Sequence, residues 1–185
     1  QGFLDLIAGV WTITFGTNYS FPIGEVNYTI YANDTLGQEE NMNGTFTTLQ
    51  GLNLTECGTL NTANSVYTLK SNVNSTSTCF NITAENVTLD CDSYEINYSY
   101  NGTLGYAVYS NQDGTNVTNC VVKEGTSTTH YKDAIFYDGV SSGVVLNNNI
   151  TTLAAYSDNV RLDGSVQNIV QGNILITSGG RPVSV

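Results

Sequence analysis

The chain has 185 residues, of which 11% are charged, and its 5 basic and 16 acidic residues give a net charge of −11. This balance argues against a nucleic-acid-binding protein, which needs a basic face to neutralise phosphates, and against adhesion to anionic lipid. The hydrophobic fraction of 40% is too high for a disordered chain, and no apolar run is long enough to span a bilayer. The composition therefore indicates one globular domain of ordinary size, or a domain with a small appendage.

The chain begins at Gln1 rather than at Met, so we expect a processed N-terminus. Residues 11–15 and 26–30 alternate apolar and polar side chains, which is typical of half-buried strands. Residues 16–24 are the predicted turn between them, and Phe46 falls in a predicted third strand.

Residues 1–50 are accordingly predicted to form a small antiparallel β region with an apolar segment, 3–8, at its start. One interpretation is a cap over the first coil of the domain that follows. The other is an arm that packs on, or completes, a sheet in a neighbouring subunit.

Residues 51–185 contain an internal repeat with a period near 25. An aliphatic position recurs at Ile82, Val108, Ile135 and Val160. A polar position recurs at Asp90, Asn119, Asn147 and Gln171. Each unit holds short β-type runs separated by Gly, Asn, Asp or Ser, without helical periodicity, and such units bury their apolar side chains only when stacked. We predict an all-β fold in which 51–185 form a short parallel β-helix of about four coils stacked ~4.8 Å apart.

Four cysteines, an even number, indicate two disulfides formed in an oxidising compartment. A zinc site is not indicated, because no CxxC occurs and His130 is the single histidine. The stack places Cys91 and Cys120 at one position of adjacent coils, with Cα atoms ~5 Å apart, which a disulfide accepts. Cys57 is then left to pair with Cys79.

Segments 57–69 and 78–91, with the framework C-G-T-L, T-C-F and L-D-C, resemble the opening of archaeal extracellular right-handed parallel β-helix proteins. These belong to a broad group of carbohydrate-binding and sugar-hydrolase-like repeats, and the likeness extends over 57–176. The resemblance implies a right-handed β-helix, an archaeal source and a place at the cell surface. Such repeats occur in surface-layer proteins, adhesins and polysaccharide-active enzymes, so it implies an activity less than a fold.

The strongest local signal is the N-glycosylation sequon N-x-[ST], for which chance would give roughly five copies in a chain of this composition. The twelve acceptors are Asn18, Asn27, Asn33, Asn43, Asn53, Asn74, Asn81, Asn86, Asn97, Asn101, Asn116 and Asn149. Asn-rich and Thr-rich strands could produce such triplets as a by-product, but we favour dense N-glycosylation of an extracellular protein. Residues 1–17 and 150–185 hold no sequon, and we therefore expect both to be covered by neighbouring copies.

Catalytic motifs are weak in this sequence. Asp138-Gly139 and Asp163-Gly164 occupy equivalent places in successive units, which could bring two carboxylates together for glycoside hydrolysis or for a cation. Asp-Gly is also a common turn dipeptide, and turn formation is the favoured interpretation. We therefore predict a protein that is not an enzyme and has no metal or cofactor beyond covalent N-linked glycans.

The predicted function is a structural subunit of a glycan-coated extracellular filament or surface layer, in which copies join head to tail through the sequon-free ends. The predicted partner is the chain itself, with no nucleic acid and no membrane insertion. The alternative is a carbohydrate-binding or polysaccharide-degrading module. Four aromatic side chains are candidates for stacking on sugars: Tyr106, Tyr109, Phe136 and Tyr137.

Overall fold

A computed structural model describes residues 3–7, 10–14, 24–33, 39–101, 103–125 and 130–185. Within these ranges every regular element is a β-strand, as the sequence predicts. The strands are β1 (Phe3–Ile7), β2 (Val10–Thr14), β3 (Gly24–Asn33), β4 (Glu39–Thr48), β5 (Gln50–Leu54), β6 (Gly58–Leu60), β7 (Ser65–Leu69), β8 (Val73–Asn74), β9 (Phe80–Ile82), β10 (Val87–Asp90), β11 (Glu95–Tyr98), β12 (Val108–Ser110), β13 (Asn116–Thr118), β14 (Val121–Glu124), β15 (Ile135–Asp138), β16 (Val144–Leu146), β17 (Asn149–Thr152), β18 (Val160–Asp163), β19 (Ile169–Gln171), β20 (Ile174–Thr177) and β21 (Val183–Ser184).

The chain divides into two compact units, 1–48 and 49–185. In the first unit β1 pairs with β2 and β3 pairs with β4, both antiparallel. Both strands predicted at 11–15 and 26–30 therefore form, as parts of β2 and β3, and each pairs with its nearer neighbour in sequence, which closes the shorter loop. Most of the predicted turn over 16–24 lies outside the described residues.

The β3–β4 hairpin is long, with ten residue pairs running from Gly24↔Thr48 to Asn33↔Glu39. Val26 and Ile30 are half-buried and Asn27 and Thr29 are exposed, as the alternation predicts, but Tyr28, expected on the inner face with Val26, is exposed as well.

The second unit is a parallel β-solenoid, which confirms the predicted fold class. Strands β5 to β21 form three parallel sheets, which we call sheets I, II and III. Sheet I contains β5, β7, β10, β13, β16 and β19; sheet II contains β8, β11, β14, β17 and β20; sheet III contains β6, β9, β12, β15, β18 and β21. Each coil contributes one strand to each sheet, so that the complete coils are β7–β9, β10–β12, β13–β15, β16–β18 and β19–β21.

The solenoid has about five coils rather than the four predicted. The predicted repeat begins in β9, with Ile82, and misses the turn of the solenoid that precedes it, because that turn is shorter than the others. Its Val66 pairs with Thr88, 22 residues on, whereas Thr88 pairs with Asn116, 28 residues on. A search for a constant period near 25 therefore does not reach it.

The interior is a column of aliphatic and aromatic side chains. Val108, Ile135 and Val160 are register partners in sheet III, as predicted, and all three are fully buried. Ile82 was expected in the same column, but Phe80 takes that place, and Ile82 pairs with Ser110. Inward side chains alternate with outward ones along each strand, so a shift of two residues keeps Ile82 in the core.

The recurring polar positions bond along the stack in part. Asn119 Nδ2 donates to Asp90 Oδ1 at 3.1 Å, although Asn119 and Asn147 lie one residue later in register than Asp90 and Gln171. Asp90 pairs with Thr118, and Leu146 pairs with Gln171, whereas Asn119 and Asn147 follow these strands in the left-handed region at φ 55° and 57°. A further polar ladder, inside the corner, uses Asn148 and Asn173. The side-chain Nδ2 of Asn148 donates to Oδ1 of Asn173 at 3.0 Å.

Candidate glycosylation sites and assembly surface

The sequon asparagines face outward wherever their side chains are described. Asn18 lies outside the described residues, and the side chain of Asn33, at the end of β3, is also not described. Seven side chains are exposed: Asn27, Asn43, Asn53, Asn74, Asn86, Asn101 and Asn149. Three more are half-buried on outward strand positions: Asn81, Asn97 and Asn116. Since none of these ten is buried, the fold leaves room for a glycan at each outward position, and modification itself stays a prediction.

Two of the predicted glycosylation sites are direct neighbours. Asn74 of β8 and Asn97 of β11 are register partners on the outer face of sheet II. Adjacent strands lie ~4.8 Å apart, so sugars on both asparagines would crowd each other. Asn97 Oδ1 is already shielded from solvent and has no hydrogen-bond partner among the described residues. We consequently expect Asn74 to accept an N-linked glycan more readily than Asn97.

Both disulfides form as predicted. Cys57 bonds Cys79 and Cys91 bonds Cys120, each with Cα atoms 4.7 Å apart. Cys91 and Cys120 are buried beside each other at the corner between sheets I and II. Two disulfides indicate a non-reducing environment such as that of secreted proteins.

The fifth coil, β19–β21, has an outer edge with no strand paired to it in the described part of the chain. Each of its three strands is terminal in its sheet, so its outward backbone N–H and C=O groups have no ladder partner. The inward residues Val170 and Leu175 are only half-buried, whereas their partners one coil earlier, Val145 and Ile150, are fully buried. The core is therefore open at this end.

The fifth coil also exposes apolar side chains on its flanks. Ile169, Ile174 and Ile176 all point outward, and Ile174 is 60% exposed. Three large aliphatic side chains on one coil form an apolar patch of the kind that marks interaction sites. Sequons are absent from this stretch, 150–185.

A groove of about 420 Å³ runs beside sheet III near the fifth coil, with Asp133, Asp158, Arg161 and Arg181 among its lining residues. Asp158 Oδ2 pairs with Arg181 Nη2 at 3.0 Å, and Asp133 Oδ2 lies 3.6 Å from Arg161 Nη1. Burial raises the pKa of Asp133 above its ordinary value. Burial acts in the same sense on Asp158, but the Ser184 hydroxyl and Arg181 outweigh it and lower the pKa of that carboxyl.

Tyr131 and Tyr156 form a stacked, exposed aromatic pair at the rim of this groove, with ring centroids 5.2 Å apart. No sequence pattern indicates this pair, because the two residues belong to irregular segments between strands. His130 packs its ring edge-on against Tyr156.

The aromatic residues predicted to stack on sugars have different environments. Tyr106 and Tyr109 pack with Phe136 on the outer face of sheet III, with ring centroids 5.2 and 5.5 Å from it, and the Arg161 guanidinium lies over the Phe136 ring. Tyr137 is fully buried, and its hydroxyl donates to the Thr115 carbonyl at 2.9 Å, so it cannot stack on a ligand.

Asp138 and Asp163 are register partners, as predicted, and both precede a glycine with positive φ, Gly139 at 74° and Gly164 at 58°. Turn formation therefore explains both Asp-Gly pairs. Each carboxylate is also engaged by a neighbour: Tyr109 donates to Asp138 at 3.0 Å, and Arg161 donates to Asp163 at 2.7 Å.

Among the described residues, no group of three or more His, Cys, Asp or Glu side chains is arranged to hold a metal ion. No helix that could cross a membrane occurs in those residues.

No match to this chain was found among protein-family models, curated proteins or solved structures. The structure supports the resemblance to β-helix proteins at the level of the fold, because residues 49–185 form a parallel β-solenoid. The archaeal and sugar-hydrolase-like aspects of the resemblance stay predictions.

Proposed function

We propose that this protein is a structural subunit of a heavily N-glycosylated extracellular polymer, a filament or a surface layer, in which copies join head to tail. The observation that carries the proposal is the open fifth coil. Its strand edges have no partner among the described residues, and its inward residues Val170 and Leu175 are only half-buried because no further coil covers them. Unpaired edges of a solenoid associate unless they are capped.

A second copy is the occupant that fits this end best. A stack of parallel strands can be continued by further parallel strands, which would bond the free backbone groups and cover Val170 and Leu175. Because the two joined surfaces differ, the contact is heterologous and leaves a new open end on each added copy, which produces a fibre rather than a closed ring.

The sequons support the same arrangement. Eight of them belong to the solenoid unit, six on its strands, none of the eight is buried, and none lies on the fifth coil, so sugars would coat the flanks and leave the end free. Hydrated glycans on the flanks would also replace charge as the source of solubility in a chain with few charged residues. The two disulfides support secretion, and location at the cell surface belongs to the proposal.

Two lysine variants of β19 test assembly. In Val170→Lys the charged side chain points inward at the open end. A free subunit can tolerate it in water, but a head-to-tail contact would bury it without a counter-charge. We expect Val170→Lys to abolish elongated particles in electron micrographs and to remain monomeric by light scattering.

The matched control is Gln171→Lys, one residue later on the same strand, which adds the same charge at an exposed polar position outside the apolar patch. It should assemble like the wild type. Assembly of Val170→Lys at the wild-type level, or a wild type that stays strictly monomeric, would refute head-to-tail joining through this coil. Site-resolved glycopeptide mass spectrometry tests the glycan coat, and a chain unmodified in its native source would remove that part of the proposal.

The groove favours a second candidate function, carbohydrate binding. The exposed faces of Tyr131 and Tyr156 suit the C–H groups of a sugar ring, and the more exposed Arg161, Arg181 and Asp163 side chains of the groove can bond hydroxyls. A glycan array with the wild type and Tyr156→Ala tests it. Binding lost in the variant supports the groove, and absence of binding by the wild type excludes it.

A further inference from the structure

The inward face of the solenoid contains a lysine and a glutamate that are completely removed from water. Glu124 is the last residue of β14 and points inward, and Lys132 lies in the segment that leads to β15. Both side chains have no exposed surface, and Lys132 Nζ lies 2.6 Å from Glu124 Oε1. Despite this distance, neither atom makes a hydrogen bond of acceptable angle with any described residue.

An ion pair accounts poorly for this arrangement. A buried ammonium needs acceptors for its three N–H groups, and among the described residues one badly aligned carboxylate oxygen is its only charged partner. Neighbouring polar groups are committed elsewhere. The Tyr98 hydroxyl donates to the Lys132 carbonyl at 2.7 Å, and the Ser157 hydroxyl accepts from the Lys132 backbone N–H at 2.9 Å.

The other carboxylate oxygen is held firmly. Glu124 Oε2 accepts hydrogen bonds from the backbone N–H groups of Leu153, at 2.6 Å, and Ala154, at 3.1 Å, in the next coil. The two donors fix the plane of the carboxyl group and leave Oε1 facing the amine. A pair of backbone N–H groups on one oxygen is also the arrangement that stabilises an oxyanion during acyl transfer.

We propose that Lys132 and Glu124 join in an intramolecular amide bond. The ammonium first gives a proton to Oε1, and the neutral Nζ then attacks Cδ of the carboxylic acid. Negative charge develops on Oε2, where the two N–H groups receive it. The bond from Cδ to Oε1 breaks, and Oε1 leaves as water with a second proton from Nζ. The third proton stays on the new amide, so atoms and charge balance without any other reactant.

The enclosed site favours this reaction in two ways. Fixing amine and carboxyl in contact gives an effective concentration of roughly 10⁵ M or more in well-oriented intramolecular reactions. The product is also neutral, so it removes two charges from a dry interior. The bond would close the connection between sheets II and III at the third coil, adding a cross-link that reducing agents cannot open.

Peptide mapping of the full-length protein tests the bond. After reduction and alkylation, trypsin should cut an unlinked chain after Lys123 and Lys132 and release peptide 124–132, which holds no sequon. An amide on Lys132 blocks cleavage there. We therefore expect peptide 124–161, freed of its Asn149 glycan, to be lighter than its sequence by one water molecule, with fragment ions that show a closed ring from 124 to 132.

The matched control is Lys132→Arg, which keeps the charge and the tryptic site but offers no comparable nucleophile. It should release peptide 124–132 at its unmodified mass. The wild-type digest decides the matter even if this variant fails to fold. Recovery of free, unmodified 124–132 as the main product from wild-type protein with both disulfides formed would overturn the proposal and leave an ion pair.

Discussion

Polar side chains inside the solenoid bond from one coil to the next. Asn148 is buried, and its Oδ1 accepts from the Cys120 backbone N–H at 2.9 Å while its Nδ2 donates to the Val117 carbonyl and to Asn173. Asn173 repeats the pattern on the fifth coil, where it donates to the Val145 carbonyl at 2.8 Å. A single side chain therefore satisfies several backbone groups that water cannot reach.

Replacing Asn148 with alanine should destabilise the protein by about 1–3 kcal/mol, because the Cys120 N–H and the Val117 carbonyl lose their partner away from solvent. Urea unfolding of the wild type and the variant measures the difference. Asn173→Ala is the matched control, and its loss should be smaller because water reaches the fifth coil. Equal losses at the two positions would contradict this role for the ladder.

Asp133 and Asp158 should make the stability of the folded protein depend on pH in opposite directions. The pKa of Asp133 is raised by burial, so the folded state favours its protonated form, and ionisation costs stability as the pH rises from the ordinary Asp value through the raised one. Asp158 has a lowered pKa, so its contribution to stability is present above the ordinary Asp value and is lost as the pH falls through the lowered one.

Asp133→Asn should therefore raise the unfolding temperature at neutral pH, and the gain should vanish as the pH falls to about 4 and below, where Asp133 is protonated in both states. Asp158→Asn should lower the unfolding temperature at neutral pH, with a loss that shrinks in acid. Thermal melts between pH 3 and pH 7 give both curves. A destabilised Asp133→Asn at neutral pH would show that its bond to Arg161 outweighs burial.

At the level of elements, the strands are too short to be stable alone and depend on the coils beside them. Most solenoid strands have three to five residues, and each is bonded to the equivalent strands of neighbouring coils. The two disulfides add covalent links between such coils. They differ in access, because Cys57 is half-exposed whereas Cys91 and Cys120 are buried.

Mild reduction of the folded protein should therefore open Cys57–Cys79 first and Cys91–Cys120 only after unfolding. Timed alkylation with mass spectrometry follows each pair. Replacing Cys91 and Cys120 together with serine should cost about 3–4 kcal/mol of stability on chain-entropy arguments for a 29-residue loop. Simultaneous reduction of the two bonds under native conditions would show that the buried corner opens readily.

At the scale of the whole molecule, the second unit carries what a folded domain needs. The buried apolar cluster extends from Leu60 to Leu162, and both disulfides lie within 49–185. A chain restricted to 49–185 should therefore fold by itself, with a β-type circular dichroism spectrum and a single unfolding transition close to that of the full chain. A disordered 49–185 fragment would show that the first unit is required for folding.

The sequence by itself determined the all-β class, the stacking of coils and both disulfides. An aliphatic position that recurs at a nearly constant spacing, without helical periodicity, leaves few alternatives to a solenoid. Stacking of the coils then brings Cys91 close to Cys120 even when the predicted register is wrong by a residue or two. The outward placement of the sequons also follows from strand alternation, because Asn and Thr two residues apart share one face of a strand.

The tertiary structure alone decided features that depend on exact register and on segments between strands. Three features differ from the predicted pattern by one coil or by one or two residues, which a local pattern cannot resolve. They are the short first coil, the place of Phe80 in the column where Ile82 was expected, and the ladder at Asn148. The stacked Tyr131 and Tyr156 lie in irregular segments with no periodicity, and Lys132, which contacts Glu124 of β14, lies in such a segment as well. Tyr131 and Tyr156 meet only because successive coils lie on each other, whereas Glu124 and Lys132 meet within one coil, where the path of the chain from β14 to β15 brings them together.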